Sequence, residues 1–280
     1  MNFDYELLDC GNERRLERFG KYILDRPCPQ AIWKKKLDNT VWNNADAYYE
    51  RTEKIKGWKN VDTLPESWEI TLENVNIELR PSINNQVGIF PEQLSNWLWL
   101  EKEIKKANRP VKILNTFAYT GVATIMASQA GEDTEVCHVD GAKASVNWAR
   151  KNAEISGLSN KKIRWIVDDV MKFMEREIKR GNTYDGIILD PPAFGKGGGT
   201  SWKFKQDLPK LLTLVNELLS DSPLFVILSG HAQGVSSKDL LTLLEDLPKL
   251  KGGKGEAIDL IIPSLKGNDL PSSVCGRVRF

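Results

Sequence analysis

The chain reads as an α/β protein, an open and largely parallel sheet with helices on both faces, preceded by a small N-terminal subdomain of mostly β structure. Three observations predict this. From Val111 onward the sequence repeats strand, turn and helix, the alternation that builds parallel sheets. The run Ile187-Ile188-Leu189 is apolar without alternation, as in a strand covered on both faces. Before residue 90, short β-like pieces are separated by proline-punctuated turns, which argues against parallel pairing there. The expected division is residues 1–90 for the β-rich subdomain, a candidate for substrate recognition, and 91–280 for the α/β domain.

In order along the chain, Tyr5–Leu8, Gly20–Leu24 and Glu69–Leu79 are the β-like pieces, and Glu73-Asn74 suits a hairpin turn. Trp33, Trp42, Trp58 and Trp68 stand here, with Lys34, Lys35 and Lys36 directly after Trp33. Interleaved basic and aromatic residues can track a single-stranded nucleic acid; a small-domain core with solvated lysines accounts for the same residues. Leu94–Ile104 has the apolar spacing of an amphipathic helix.

Val111–Asn115 is then a strand, Thr116–Gly121 a loop and Val122–Ala130 a helix, without the Gly-x-Gly-x-x-Gly of dinucleotide sites. A second strand, Glu135–Val139, ends at Asp140-Gly141; a third, Ile163–Val167, ends at Asp168-Asp169; the fourth, Ile187–Leu189, ends at Asp190. Helices over Ala142–Asn152 and Val170–Lys179 separate them. One acid at a strand end is explained by capping of the next helix. Three along one rim point to a cofactor carrying a nucleoside.

After Asp190 come Pro191, Pro192, Ala193 and Phe194, then a glycine-rich segment with Lys196, Trp202, Lys203 and Lys205, read as a loop able to close over a substrate. Leu208–Ser220 and Leu240–Leu250 read as helices, and Leu224–Leu228, Ile258–Ile262 and Val274–Phe280 as strands, the last two forming a final hairpin.

Composition excludes several classes. Hydrophobic content of 41% and charged content of 28% are those of an ordinary globular chain, and the apolar runs are too short to span a bilayer. With no apolar leader at its start, a cytoplasmic protein is expected, with no membrane partner. A net charge of +1 excludes a strongly basic body, though not a local basic patch. Four scattered cysteines and two histidines make no metal-binding pattern, so no metal is expected and the thiols are read as reduced and buried.

Four segments carry a family resemblance: Leu114-Asn-Thr-Phe-Ala-Tyr-Thr-Gly121; Val139-Asp-Gly-Ala142 with Trp148-Ala-Arg-Lys-Asn152; Asp168-Asp-Val-Met-Lys-Phe173; and Asp190-Pro-Pro-Ala-Phe194. Together these resemble class I S-adenosylmethionine-dependent methyltransferases, and most of all the bacterial large-subunit ribosomal RNA methyltransferases acting on cytosine C5 or guanine N7. The resemblance covers residues 80–280. It implies a Rossmann-like seven-stranded methyltransferase sheet, S-adenosyl-L-methionine as cofactor and RNA, ribosomal in the first place, as partner.

By position it implies that Asn115, Phe117, Ala118, Tyr119, Thr120 and Gly121 wrap the methionine part of the cofactor. Asp140 would hold the ribose and Asp168 or Asp169 would meet the adenine, with Gly141, Ala142 and Asn152 also in the cofactor site. Phe90 and Gln93 would flank the pocket. Asp190, Pro191, Pro192 and Phe194 would face the methyl group, with Lys196, Trp202, Lys203 and His231 on the substrate side.

The sequence departs from the cytosine-C5 pattern in one place. Where those enzymes carry a nucleophilic cysteine, this chain has Ser229-Gly230-His231, leaving Cys275 as the one thiol that could reach in. A nitrogen acceptor is therefore expected, with His231 as a base or substrate contact. A protein or small-molecule substrate, an RNA-binding protein without turnover and a homodimer stay open.

Overall fold

The structure is a computed structural model that describes residues 2–51, 56–197 and 200–280, of which 196, 197, 200 and 201 are described by backbone alone. It falls into two compact units, residues 1–92 with 261–272, and residues 93–260 with 273–280.

The first unit contains a five-stranded sheet in sequential order. Strands β1 (Tyr5–Gly11), β2 (Arg14–Phe19) and β3 (Tyr22–Pro27) form a meander. The short helix α1 (Asn39–Asn43), capped by Asp38, leads to β4 (Ala47–Arg51) and β5 (Lys56–Lys59). The pairing is antiparallel except between β3 and β4. A separate hairpin, β6 (Trp68–Leu72) and β7 (Val75–Leu79), turns at Glu73-Asn74, with Glu73 in the left-handed region at φ 51°. At its core the fully buried Glu17 accepts from Arg26 Nε at 2.7 Å and from the Tyr5 hydroxyl at 3.0 Å.

The tryptophans belong to this framework. Trp42 is buried, and the indole N–H groups of Trp33, Trp58 and Trp68 donate to the carbonyls of Cys10, Ser82 and Phe19 at 2.7, 2.8 and 3.2 Å. They anchor loops to strands rather than standing open for bases to stack. Segment 261–272, expected with the α/β domain, clusters with the first unit: the Leu265 N–H donates to the Leu7 carbonyl at 2.9 Å, and Cys10 Sγ to the Asn268 carbonyl at 3.2 Å. These ties span more than 250 residues of chain, and local pattern does not carry them.

The second unit opens with α2 (Leu94–Ala107) and continues through β8 (Val111–Thr116), α3 (Val122–Gln129), β9 (Thr134–Asp140), α4 (Lys143–Ile155), β10 (Ile163–Val167), α5 (Val170–Lys179) and β11 (Gly186–Leu189). Then follow the short strands β12 (Phe194–Gly197) and β13 (Thr200–Lys203), α6 (Phe204–Leu218), β14 (Phe225–Gly230), α7 (Ser237–Glu245), β15 (Lys254–Ile262) and β16 (Leu270–Arg279). Seven strands form one sheet in the order β10-β9-β8-β11-β14-β16-β15. The pairs from β10 to β14 are parallel and β16 runs antiparallel to β14. This is the Rossmann-like seven-stranded sheet expected from the sequence.

Two local expectations are corrected. The glycine-rich segment is an antiparallel ribbon, with Phe194 opposite Lys203, and α6 begins directly after it at Phe204 instead of Leu208. Helix α7 starts at Ser237 because Ser236 and Asp239 form a reciprocal capping box ahead of the apolar run.

Register fixes the rim. Leu189 lies opposite both Thr116 and Leu228, Thr116 opposite Val139, and Val167 opposite Asp140. Phe117, Asp140, Asp190 and Ser229 therefore emerge at one level, with Asp168 one step further along. The strand order reverses between β8 and β11, which is where open α/β sheets form a ligand crevice.

His138 lies beneath this rim. Asn115 Nδ2 donates to Thr124 Oγ1 at 2.9 Å, and that hydroxyl lies 2.9 Å from His138 Nδ1, while the Trp165 ring packs 4.9 Å away. Burial, with the charge of Arg150 adding to it, pushes the imidazole down to about 3 from its ordinary 6.5, so it is held neutral. The unfolded chain binds a proton here that the folded chain refuses, and stability from this residue is lost as pH falls from 6.5 toward 3. Chemical denaturation should find that the stability advantage of wild type over His138→Gln shrinks by about 2 kcal/mol between pH 7.5 and pH 5. A gap that does not change with pH would contradict a neutral buried histidine.

Candidate functional site

The site is built on the end of β11. Its four residues are all buried, and the following Pro191 and Pro192 stop the ladder so that Asp190 comes out at the rim. Asp190 Oδ1 lies 2.7 Å from His231 Nε2, and Oδ2 accepts from Gln93 Nε2 at 3.4 Å. Gln93 is fixed in turn: its Nε2 donates to Ser229 Oγ at 3.1 Å, and its Oε1 accepts from Asn96 Nδ2 at 2.8 Å. The chain beneath continues to Arg277, whose Nη1 lies 3.3 Å from Asn96 Oδ1 and whose Nη2 pairs with Glu256 at 2.7 Å. Asp190 is thus oriented by β14 and by the start of α2, with 26% of its side chain still exposed.

The second component is the loop after β8. Phe117 and Tyr119 both adopt left-handed backbone, at φ 52° and 49°, which costs a non-glycine residue roughly 1 kcal/mol or more. Asp140 holds the loop there: its Oδ2 accepts from the Tyr119 N–H at 2.9 Å and its Oδ1 from the Ala142 N–H at 2.8 Å. Burial lifts the Asp140 carboxyl, and those two backbone N–H groups pull it back down. Gly121, at φ 83°, is required twice over, since a Cβ there would stand 2.8 Å from the Ala149 methyl.

Several residues expected to contact the cofactor serve the loop from below. Asn152 is fully buried with its Nδ2 donating to the Thr120 carbonyl at 2.9 Å, Asn115 is buried against Thr124, and Thr120 is 1% exposed. All three side chains are buried in this structure, and that of Asn152 braces the loop backbone. Gly141 and Ala142 are exposed beside Asp140. Asp169 caps α5, with Oδ1 accepting from the Lys172 N–H at 3.0 Å, while Asp168 accepts from the Asp169 N–H at 2.8 Å and pairs with Arg176.

On the substrate side Phe194 is 78% exposed. Trp202 folds back instead of standing free: its Nε1 donates to the Pro192 carbonyl at 2.7 Å, and its ring packs 5.2 Å from Phe117. With the Phe204 N–H on the Ala193 carbonyl at 3.1 Å, this fastens the ribbon to the Pro191-Pro192 turn. Lys203 is exposed, the Lys196 side chain lies outside the described residues, and Phe90 is half-buried in the first unit.

Cys275 belongs to the buried layer against Ser229 and Asn96. It lies opposite Ser229 in β16, fully buried, with its Sγ 3.5 Å from Asn96 Oδ1, and burial pushes the thiol up to about 12. Among the described residues no cluster of His, Cys, Asp or Glu could hold a metal ion, and no helix is long and apolar enough to cross a membrane. Sequence reading missed Asn96, Arg176 and Arg277; their partners lie far away in sequence or on a helix face whose direction the pattern alone does not give.

Residues 46–245 match the S-adenosylmethionine-dependent methyltransferase family. Ribosomal RNA large subunit methyltransferase I of Aeromonas salmonicida is 30% identical over 129 residues, which are 45% of this chain and 31% of that one. The large subunit methyltransferase K/L of Syntrophotalea carbinolica is 37% identical over 109 residues, 38% of this chain and 15% of its own. The chain thus spans less than half the length of the curated relatives it matches. A crystal structure of a methyltransferase of Agrobacterium tumefaciens, named as dependent on S-adenosylmethionine, superposes over 100% of this chain and 91% of its own, with TM-score 0.92 and 36% identity.

Trp202→Phe keeps a ring against Phe117 and removes the donor to the Pro192 carbonyl. Denaturant titration should show a loss of about 1 kcal/mol, and a larger loss for Trp202→Ala; a Trp202→Phe variant as stable as wild type would contradict the anchoring role.

Proposed function

This chain belongs to the S-adenosylmethionine-dependent methyltransferase family, and on that footing we propose that it methylates a base of RNA, foremost ribosomal RNA, at a nitrogen rather than at cytosine C5. One observation carries the reading: a carboxylate, Asp190, and an open aromatic ring, Phe194, four residues apart at the end of the central strand. A planar base that has left its helix can stack on such a ring and donate N–H hydrogen bonds to such an acid. The relatives named for the ribosomal large subunit support RNA as the substrate class.

The rim suits the cofactor. Each Asp140 oxygen spends one lone pair on a backbone N–H and keeps another, which fits a pair of ribose hydroxyls. Phe117, Ala118 and Tyr119 are half-buried at the crevice, their backbone would line the methionine part, and Asp168 or Asp169 would meet the adenine edge. When bound, S-adenosylmethionine supplies an electrophilic methyl group on sulfur. The work left to the protein is to align the acceptor with that methyl and exclude water: Asp190 orients the acceptor, Pro191 and Pro192 fix where the carboxylate stands, and Phe194 holds the ring plane. Lys203, exposed at the end of the ribbon, suits an RNA phosphate, and Lys196 is proposed for the same role. The shielded Cys275 leaves cytosine C5 without its thiolate.

Mass spectrometry of ribosomal RNA nucleosides from a deletion strain should find one methylated nucleoside missing, restored by the wild-type gene. Every nucleoside unchanged would sink the RNA assignment. With purified enzyme, Phe194→Ala should raise KM for RNA about tenfold or more, the worth of one stacked base, and leave cofactor affinity unchanged; an unaltered KM would remove Phe194 from the substrate site.

A further inference from the structure

We propose that a cleft at the foot of β8, β9 and β10 binds a phosphate group carried by a nucleotide. The cleft lies away from the rim. Glu135, in its lining, and Asp140, at the rim, stand five residues apart on β9, about 16 Å along an extended strand. The proposal concerns neither the cofactor nor the methyl acceptor, so it stands or falls independently of the RNA reading.

Strand register assembles the lining. Lys112 lies opposite Glu135, and Lys162, one residue before the Ile163–Val136 pair, stands on the other side of Glu135. Two residues further along, Cys137 is flanked by Leu114 and Arg164, and side chains two apart on a strand share a face. Cys137 and Leu114 pack in the core with Val170 and Phe173 of α5, so this is the face that α5 covers. Helix α5 ends at Lys179, and a cleft of about 280 Å³ remains, lined also by Asn182, Thr183 and Tyr184. That volume is at the lower end of ligand pockets, roughly 300–1,000 Å³, and holds one small group.

Charge selects the ligand. Lys112, Lys161, Lys162 and Arg164 face the single carboxylate of Glu135 in the lining, four positive charges against one negative, a balance of +3 in a chain whose net charge is +1. The lysines are loosely engaged. Lys112 is exposed, Lys161 Nζ lies 3.4 Å from the Gly131 carbonyl, and Lys162 Nζ stands 3.7 and 3.8 Å from the Asp133 and Glu135 carboxylates. Ammonium groups with donors to spare around a small cleft suit the several oxygens of a phosphate.

Arg164 is held ready for the same group. The fully buried Glu177 accepts from three residues of the lining: Arg164 Nη1 at 3.1 Å, Asn182 Nδ2 at 2.9 Å and the Tyr184 hydroxyl at 2.6 Å. Arg180, outside the cleft, adds a fourth donor at 2.9 Å and helps to offset the Glu177 charge. Burial lifts this carboxyl, but the hydrogen bonds from Arg164, Tyr184 and Arg180 outweigh it and hold the group at about 2, so it stays ionised as a clamp on the lining. Arg164 keeps 52% of its side chain exposed, and a guanidinium fixed beforehand meets a phosphate with little rotamer freedom left to lose.

A free mononucleotide and one unit of an RNA strand present the same phosphate, and the test separates the two sources. Amide chemical shifts of the full chain, saturated with S-adenosylhomocysteine, are followed by NMR during titration with uridine 5′-monophosphate, with uridine and with a uridine decamer of RNA. Shifts should gather at Lys112, Glu135, Lys162, Arg164 and Asn182, and uridine, which has no phosphate, should leave these amides unmoved. Saturation by the monophosphate assigns the cleft to a free nucleotide; a response to the decamer alone assigns it to an RNA strand. Lys112→Glu combined with Lys162→Glu should weaken the binding at least tenfold, as expected for lost charge-assisted contacts, with cofactor affinity unchanged. If the double variant loses the cofactor, Lys162→Gln alone is read in its place, with nucleotide binding expected several-fold weaker. Cleft amides that respond to neither phosphate-bearing probe, an equal response to uridine, or variants that bind as tightly as wild type would each overturn the proposal.

Discussion

The site depends on the shared register of three parallel strands. Because β11 lies between β8 and β14 with Leu189 opposite Thr116 and Leu228, its next residue has to leave the sheet level with Phe117 and Ser229. A slip of one residue would turn Asp190 to the other face of the sheet and exchange the two buried faces of the strand, each packed for its own side chains. All four residues of β11 are buried, so the packing cost of a slip holds the Asp190 carboxylate in place. The same register brings Asp140 to that level from the other side of β8.

Above the sheet, each functional group is held by a partner on a different element. Asp140 on β9 secures the strained turn after β8, Asn152 on α4 braces the same turn from below, and Trp202 on β13 fastens the loop after β11. His231, the residue after β14, and Gln93, the residue before α2, hold Asp190. These groups are thus each held by side chains on neighbouring elements. Phe194 is the exception, left 78% exposed where a substrate base would supply the missing contact.

The α/β sheet and its acidic rim were legible because parallel strands write themselves as contiguous apolar runs and β9, β10 and β11 each end on or directly before an aspartate. Helix α5 is read correctly to the residue, since its apolar stripe begins at an aspartate cap. What the sequence did not disclose depends on distant partners. The parallel pairing of β3 with β4, the return of Ile261–Ser272 to the first unit, and the fixing of Gln93 by Ser229 all join residues whose local pattern is neutral. Glycines at 195, 197, 198 and 199 read as a loop, yet the flanking Phe194 and Trp202 give β12 and β13 enough side chain to pair. Asn115 and Asn152 sit inside the motif that resembles the family's cofactor site, where both are buried and Asn152 braces the loop backbone.

On the proposed reading, the rim at the β8–β11 crossing holds S-adenosylmethionine through Asp140. Calorimetric titration of wild type and Asp140→Asn with the cofactor tests it most directly, because the amide keeps an acceptor for the Tyr119 N–H while losing the charge and one of the acceptors offered to the ribose. The account predicts one site per chain in the wild type and affinity at least tenfold weaker in Asp140→Asn, as expected for charge-assisted hydrogen bonds worth about 1.5–3 kcal/mol. Equal affinities with the fold intact, or no binding to the wild type, would contradict it.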